Sequence, residues 1–167
     1  MTLTPIFKSK TARTLWFLCV AAAVVAADQL AKNAVIAHLE PRVTYETPLG
    51  SLLRLTLVYN DSAAFSMGFG LTWIFTAISS VAALVLVWYG LRVRTVGWSV
   101  LAGLALGGVT GNLIDRLFRA PGFGHGLVVD FIAIPFNFPI FNISDSAICI
   151  TAALVVIQVA RGKKLGG

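Results

Sequence analysis

Residues 95–114 read TVGWSVLAGLALGGVTGNLI, 20 positions without a Lys, Arg, Asp or Glu. A hydrocarbon core about 30 Å thick needs about 20 helical residues to cross it, and this run meets that length. Residues 71–91, LTWIFTAISSVAALVLVWYGL, form a second uncharged run just before it. Arg92, Val93 and Arg94 separate the two, so they read as antiparallel spans joined by a tight turn at 92–95. Further out lie two more apolar stretches, about 14–36 and 140–160. The expected fold is an all-α membrane protein, a four-transmembrane-helix bundle, with residues 1–167 as one integral-membrane domain. Composition agrees: 12% of residues are charged and 57% hydrophobic, whereas about a quarter of a soluble domain is charged.

The charges set an orientation. Lys8, Lys10 and Arg13, then Arg92 and Arg94, then Arg161, Lys163 and Lys164 sit at alternate ends of the spans. Lys and Arg collect on the cytoplasmic side, which puts both termini inside. The seven acids, Asp28, Glu40, Glu46, Asp61, Asp115, Asp130 and Asp145, fall at or near the opposite ends. The net charge of +6 is dispersed over segment ends and lines no groove, so nucleic acid is not an expected partner. Anionic inner-leaflet phospholipid suits these residues better. The basic start and the apolar run to Ala26 and Ala27 imitate a signal peptide. The helical pattern continues past Asp28 to Ile36, so the segment reads as an uncleaved span. Cys19 follows bulky Phe17 and Leu18 and does not read as a lipid-attachment site; with Cys149 it reads as a small core residue.

Between the spans lie two outer segments, 37–70 and 117–139. In the first, residues 43–46 and 53–59 are rich in β-branched and aromatic residues, with Pro48, Leu49 and Gly50 as a turn, which predicts a small β-rich cradle. In the second, Pro121, Gly122, Gly124, Gly126, Pro135 and Pro139 forbid a long helix. Gly103, Gly107 and Gly111 recur every four residues and lay one small-residue face along the third span. Gly103 and Gly107 read as a packing seam, and Gly111, beside polar residues, as possible room for a ligand.

A helix rises about 1.5 Å per residue, so depth can be estimated from the inner basic edge. Asp28 stands about 22 Å above Arg13, Asn112 about 27 Å above Arg94, and Asp145 about 24 Å above Arg161. Three helices thus place polar groups in one layer beneath the outer headgroups. Asp28 and Lys32, four apart, can pair on one face, as a structural pair or in chemistry. Asn112, Asp115 and Arg116 share another face. Arg116 suits holding peptide carbonyls or a carboxylate, or anchors the interface with Asp115. Asn142 and Asp145 have capping-box spacing, which alone would account for Asp145. Asp130, isolated among Leu127, Val128, Val129, Phe131 and Ile132, needs a partner.

Other chemistries lack their residues. No HExxH pair exists for zinc, His38 and His125 being unrelated in spacing; His38 reads as interfacial and His125 as a loop residue. There is no G-x-S-x-G elbow, and neither cysteine has a polar site. No metal or cofactor is expected. Carboxylate chemistry remains, because two aspartates sharing a proton can activate water and protonate a leaving amine. A small membrane transporter, or a non-catalytic membrane assembly subunit, stands as the alternative.

Five blocks in order, DQLAK (28–32), NDSAAF (60–65), GNLIDR (111–116), VVDF (128–131) and FNISD (141–145), resemble the bacterial lipoprotein signal peptidases, the type II family. The resemblance covers nearly the whole chain. It implies an aspartyl endopeptidase of the bacterial plasma membrane, working near the outer face; a monomer is expected. Its substrates would be diacylglyceryl-prolipoproteins, cut before the lipidated cysteine. It further implies Asp130 and Asp145 as the catalytic pair. Asn60, Asn112, Arg116 and Asn142 would then hold substrate or the aspartates, with Asp28, Lys32, Asp115 and Gly111 supporting them, and the first outer segment would form a cradle and a lid. Two residues depart from the family pattern, Ser62 for glycine and Ser144 for alanine, and the stretch from Leu117 to Val129 is longer than its common form. A Ser144 hydroxyl could bond a carboxylate or cap the helix.

Overall fold

The computed structural model describes residues 9–61 and 72–167. The lid expected toward residue 70, Ser62 and the basic Lys8 lie outside the described residues. Among the described residues, four helices are long and apolar enough to cross a membrane: α1 (Lys10–His38), α2 (Thr72–Gly90), α3 (Val96–Phe118) and α4 (Ile143–Ala160). Two of them, α1 and α3, overrun the apolar stretches. Ser9 caps α1, its hydroxyl accepting from the Ala12 amide at 3.0 Å, so that helix begins four residues before 14. Apolarity marks only the part of a helix that lies in hydrocarbon, while capping and tertiary contacts set its ends.

α3 is the central helix, packed by the other three, and its glycines explain how. A Cβ at Gly103 would sit 2.7 Å from the Phe17 carbonyl oxygen, and one at Gly107 would sit 2.6 Å from Val24 Cβ and 2.9 Å from the Ala21 carbonyl oxygen. Gly108 faces α4 in the same way, 2.7 Å from the Ser144 carbonyl oxygen. The four-residue glycine repeat is therefore a helix–helix seam. Gly107→Val should force α1 and α3 apart and cost about 1–3 kcal/mol, read as a lower unfolding midpoint in detergent; an unchanged midpoint would show that the seam can yield.

Cys19 and Cys149 overturn the core reading: both are exposed, on outward faces of α1 and α4. In a bundle surrounded by lipid the outer face is as apolar as the packed one, so apolar neighbours do not tell inward from outward.

At the end where α1 and α3 finish and α2 and α4 begin lies a three-stranded antiparallel sheet. It consists of β1 (Thr44–Thr47), β2 (Gly50–Asn60) and β3 (Val128–Ala133), in the order β1-β2-β3. The hairpin turns at Pro48 and Leu49, as its sequence predicts. β3 was not predicted as a strand. Five of its six residues are buried, so it lacks the alternation that marks a half-exposed strand. Leu57, Val129 and Phe131 bury together with Val35 of α1, which seats the sheet on the bundle.

Candidate active site

Sheet register brings the first two polar groups together. Asn60 pairs with Val128, and Val58 with Asp130, so Asn60 and Asp130 are diagonal neighbours on one face. Asn60 Nδ2 donates to Asp130 Oδ2 at 2.8 Å. From the other side, Asn142 Nδ2 donates to Asp130 Oδ1 at 2.7 Å. Asp130 is 3% exposed, and both carboxyl oxygens have a partner.

Asn142 is also the N-cap of α4, with both halves of the capping box formed. Its side-chain oxygen accepts from the Asp145 amide at 2.9 Å, and its own amide donates to Asp145 Oδ2 at 3.1 Å. Asn112 Nδ2 donates to Asp145 Oδ1 at 2.8 Å. Capping thus explains where Asp145 stands, and it also aims the carboxylate at Asn112 and the sheet. One asparagine holds both aspartates.

Beneath this pair lies a charged layer that is closed to solvent. Lys32 Nζ reaches Asp28 Oδ2 at 2.8 Å, Asp115 Oδ2 at 2.7 Å and Asn112 Oδ1 at 2.9 Å, which uses all three ammonium protons. Asp28 Oδ1 accepts from the Ser144 amide at 3.0 Å, tying α1 to α4. Asp115 Oδ2 accepts from the Val129 amide at 3.1 Å, tying α3 to β3. Asp28, Lys32 and Asp115 are fully buried and act as a structural core. The ion pair of Asp28 and Lys32 is therefore a support for Asn112.

Three expectations change here. Asp115 does not anchor Arg116; its second cation is Arg119, whose Nε lies 2.6 Å from Asp115 Oδ1. Neighbours on a helix point apart while i and i+4 meet, a spacing that identifies Arg119 in the sequence. Gly111 leaves no room for a ligand, because a Cβ there would run into Asp28 and the Ser144 hydroxyl. The Ser144 hydroxyl neither bonds a carboxylate nor caps α4: packed over Gly111, it has no hydrogen-bond partner among the described residues. Gln29, unassigned in the sequence, donates to Gly111 O at 3.0 Å and Asp115 Oδ1 at 3.1 Å. His38 and His125 are exposed, away from this cluster.

The acids thus sort by partner. Asp28 and Asp115 are neutralised by Lys32 and Arg119, whereas among the described residues Asp130 and Asp145 are held by amide donors alone. Amides orient a carboxylate without cancelling its charge. Burial pushes the Asp130 carboxyl up to about 7, and the nearby Asp145 charge adds to this against the opposing amides of Asn60 and Asn142. Arg116 is half-buried, with its guanidinium 6.0 Å from the Phe75 ring centroid and in electrostatic contact with both aspartates. Among the described residues its guanidinium makes no hydrogen bond, so its donors stand available.

Comparison with known proteins points the same way. The sequence model of signal peptidase (SPase) II matches residues 20–161. The chain belongs to the signal peptidase II family. Similar proteins include the lipoprotein signal peptidase of Leifsonia xyli subsp. xyli, 44% identical over 148 residues, or 89% of this chain and 68% of that one. The lipoprotein signal peptidase of Rhodococcus jostii is 39% identical over 155 residues, covering 93% and 77%. A bacterial membrane enzyme structure obtained by the in meso method at 2.3 Å superposes with a TM-score of 0.77 at 29% identity, covering 89% of this chain and 91% of that one. As a signal peptidase II the chain is a multi-pass membrane protease.

Proposed function

We infer that this peptidase removes the signal peptide of diacylglyceryl-modified prolipoproteins, cutting before the lipidated cysteine, with Asp130 and Asp145 as the catalytic dyad. The observation that carries the reading is the sorting of acids just described: buried Asp130 and half-buried Asp145, bridged by Asn142, have no ion-pair partner among the described residues. The names of the similar proteins support lipoproteins as the substrate class. Each dyad oxygen accepts one amide donor and keeps a lone-pair direction for water or substrate.

Asp145, in the first turn of α4, carries the negative charge, which the helix dipole favours. It takes a proton from water as the water oxygen bonds to the scissile carbonyl carbon. Asp130, protonated, gives its proton to the leaving nitrogen as the C–N bond breaks. One proton enters and one leaves, so the pair ends each turnover with the single proton it began with. Arg116, with free donors near both carboxylates, holds a substrate carbonyl. The cluster of basic residues at the far ends of the spans supports an orientation with both termini in the cytoplasm and the dyad near the outer surface. Residues 1–167 act as one unit in this reading.

Incubating the purified protein with a lipid-modified precursor and its unmodified counterpart tests the substrate. Only the modified form should be cut, immediately before its cysteine; equal cutting of both, or of neither, would refute the assignment. The pH dependence follows from Asp130. Its raised value means the proton is present below about 7 and lost above it, so turnover should fall about tenfold per pH unit on the alkaline side. A rate unchanged between about pH 6 and about pH 9 would show that this proton takes no part.

A further inference from the structure

At the end of the bundle opposite the dyad, residues 161–167 fold back over the turn between α2 and α3. The Arg94 amide donates to the Gly166 carbonyl at 2.8 Å, and the Gly167 amide to Lys164 O at 3.1 Å. The fold-back borders an open cavity of about 300 Å³ lined by Tyr89, Arg92, Arg94, Lys164, Gly166 and Gly167. Arg92 is held in place, its guanidinium carbon 4.5 Å from the Trp88 ring centroid and Nη1 donating to the Trp88 carbonyl at 2.9 Å. Among the described residues none of the three cations has an acidic partner. The chain has no Asp or Glu between 62 and 114 or after 145. Three cations bordering one cavity, none with a salt bridge among the described residues, suit a phosphate-sized anion.

A second cavity of about 190 Å³ adjoins the first, sharing Tyr89 and Leu165. Its walls are apolar, from Leu86 on α2, Ala105 on α3 and Val155 on α4. Ala105 lies nine residues into α3, about 13 Å from its start, so the cleft runs from the basic cavity toward the bilayer midplane. A free phosphate would use only the first cavity. An anionic glycerophospholipid would fill both, with its headgroup among the cations and an acyl chain between the helices. We propose that this end of the protein is a specific binding site for one anionic phospholipid of the inner leaflet. The site is separate from the catalytic layer and stands whether or not the dyad assignment does.

The test is lipid retention by the full chain in detergent, read by native mass spectrometry with phosphatidylglycerol, phosphatidylcholine or inorganic phosphate added. One phosphatidylglycerol should stay bound in preference to phosphatidylcholine, and millimolar phosphate should not displace it. The triple variant R92Q/R94Q/K164Q should weaken retention about a hundredfold, since each surface cation contributes about fivefold. K10Q/R161Q/K163Q removes the same charge from the same end outside the cavity and should change it little. Equal losses in the two triples would reduce the site to diffuse surface charge, and equal retention of phosphatidylcholine would overturn headgroup recognition. Displacement by phosphate would mean a phosphate site only. Should the first triple not elute as a single folded species, Arg94→Gln alone carries the test with an expected loss of about fivefold. Ala105→Phe, which fills the apolar cleft, should weaken lipid but not phosphate binding; unchanged lipid retention would remove the acyl chain from the proposal.

Discussion

Asp130→Asn and Asp145→Asn should each lower cleavage of a lipid-modified precursor by at least about a thousandfold, because each removes a proton-transfer group for which no neighbour can substitute. The amides around them supply N–H groups alone to the two carboxylates. Both variants should remain folded, and for Asp130→Asn the sign of the stability change can be worked out. A carboxyl whose folded-state value is raised to about 7 adds stability below its unfolded value, and that contribution is lost as pH rises through about 7. At pH 8 the wild type therefore carries a buried charge that an uncharged amide avoids, and Asp130→Asn should unfold at the same temperature as wild type or higher. Measuring gel-resolved cleavage and the unfolding midpoint on one preparation separates chemistry from folding. Substantial turnover in either variant would refute the dyad. A variant that is inactive and also unfolded would recast Asp130 as a structural residue.

Much of this arrangement could be read from the sequence, for a physical reason particular to membranes. Lipid makes a buried charge costly, so polar residues inside apolar spans stand out, and helical rise converts their positions into depth. Asp28, Asn112 and Asp145 share a layer by that arithmetic, and in the structure Lys32 and Asn112 connect them. The Asn142 capping box was legible because it is local, decided within four residues. What could not be read depends on which side of an element faces inward. The cysteines face out, and β3, buried on both sides, shows no alternation. The glycine seam was visible as a spacing, yet its last member, Gly111, faces Asp28 and Ser144 instead of a ligand. The cation that pairs with Asp115 is the one at helical spacing, Arg119, and not its immediate neighbour in the chain, Arg116. Arg116 is the more informative for having been freed of that structural duty.

Lys32→Met should cost about 3–5 kcal/mol, the largest stability loss expected of any single change in this layer, since it leaves buried carboxylates without their cation. The ammonium is fully buried and all three of its protons are used, while methionine fills similar volume and isolates the charge effect from a cavity effect. The two acids lose unequally. Asp115 retains Arg119 at 2.6 Å, whereas Asp28 keeps only the Ser144 amide at 3.0 Å and the Gln29 amide at 3.3 Å. Most of the cost therefore falls on Asp28. Adding Asp28→Asn to Lys32→Met should recover part of the lost stability instead of adding to the loss, a coupling that unfolding midpoints of the two singles and the double would reveal. Simple additivity would mean that Asp28 is not the orphaned charge. Activity should not recover with stability. Asn112 Oδ1 still lacks its donor from Lys32, and the same asparagine aims Asp145 through Nδ2. A double variant that folds well yet cleaves poorly would show that this lysine, which touches neither dyad carboxylate, both neutralises the supporting acids and positions the asparagine that aims Asp145.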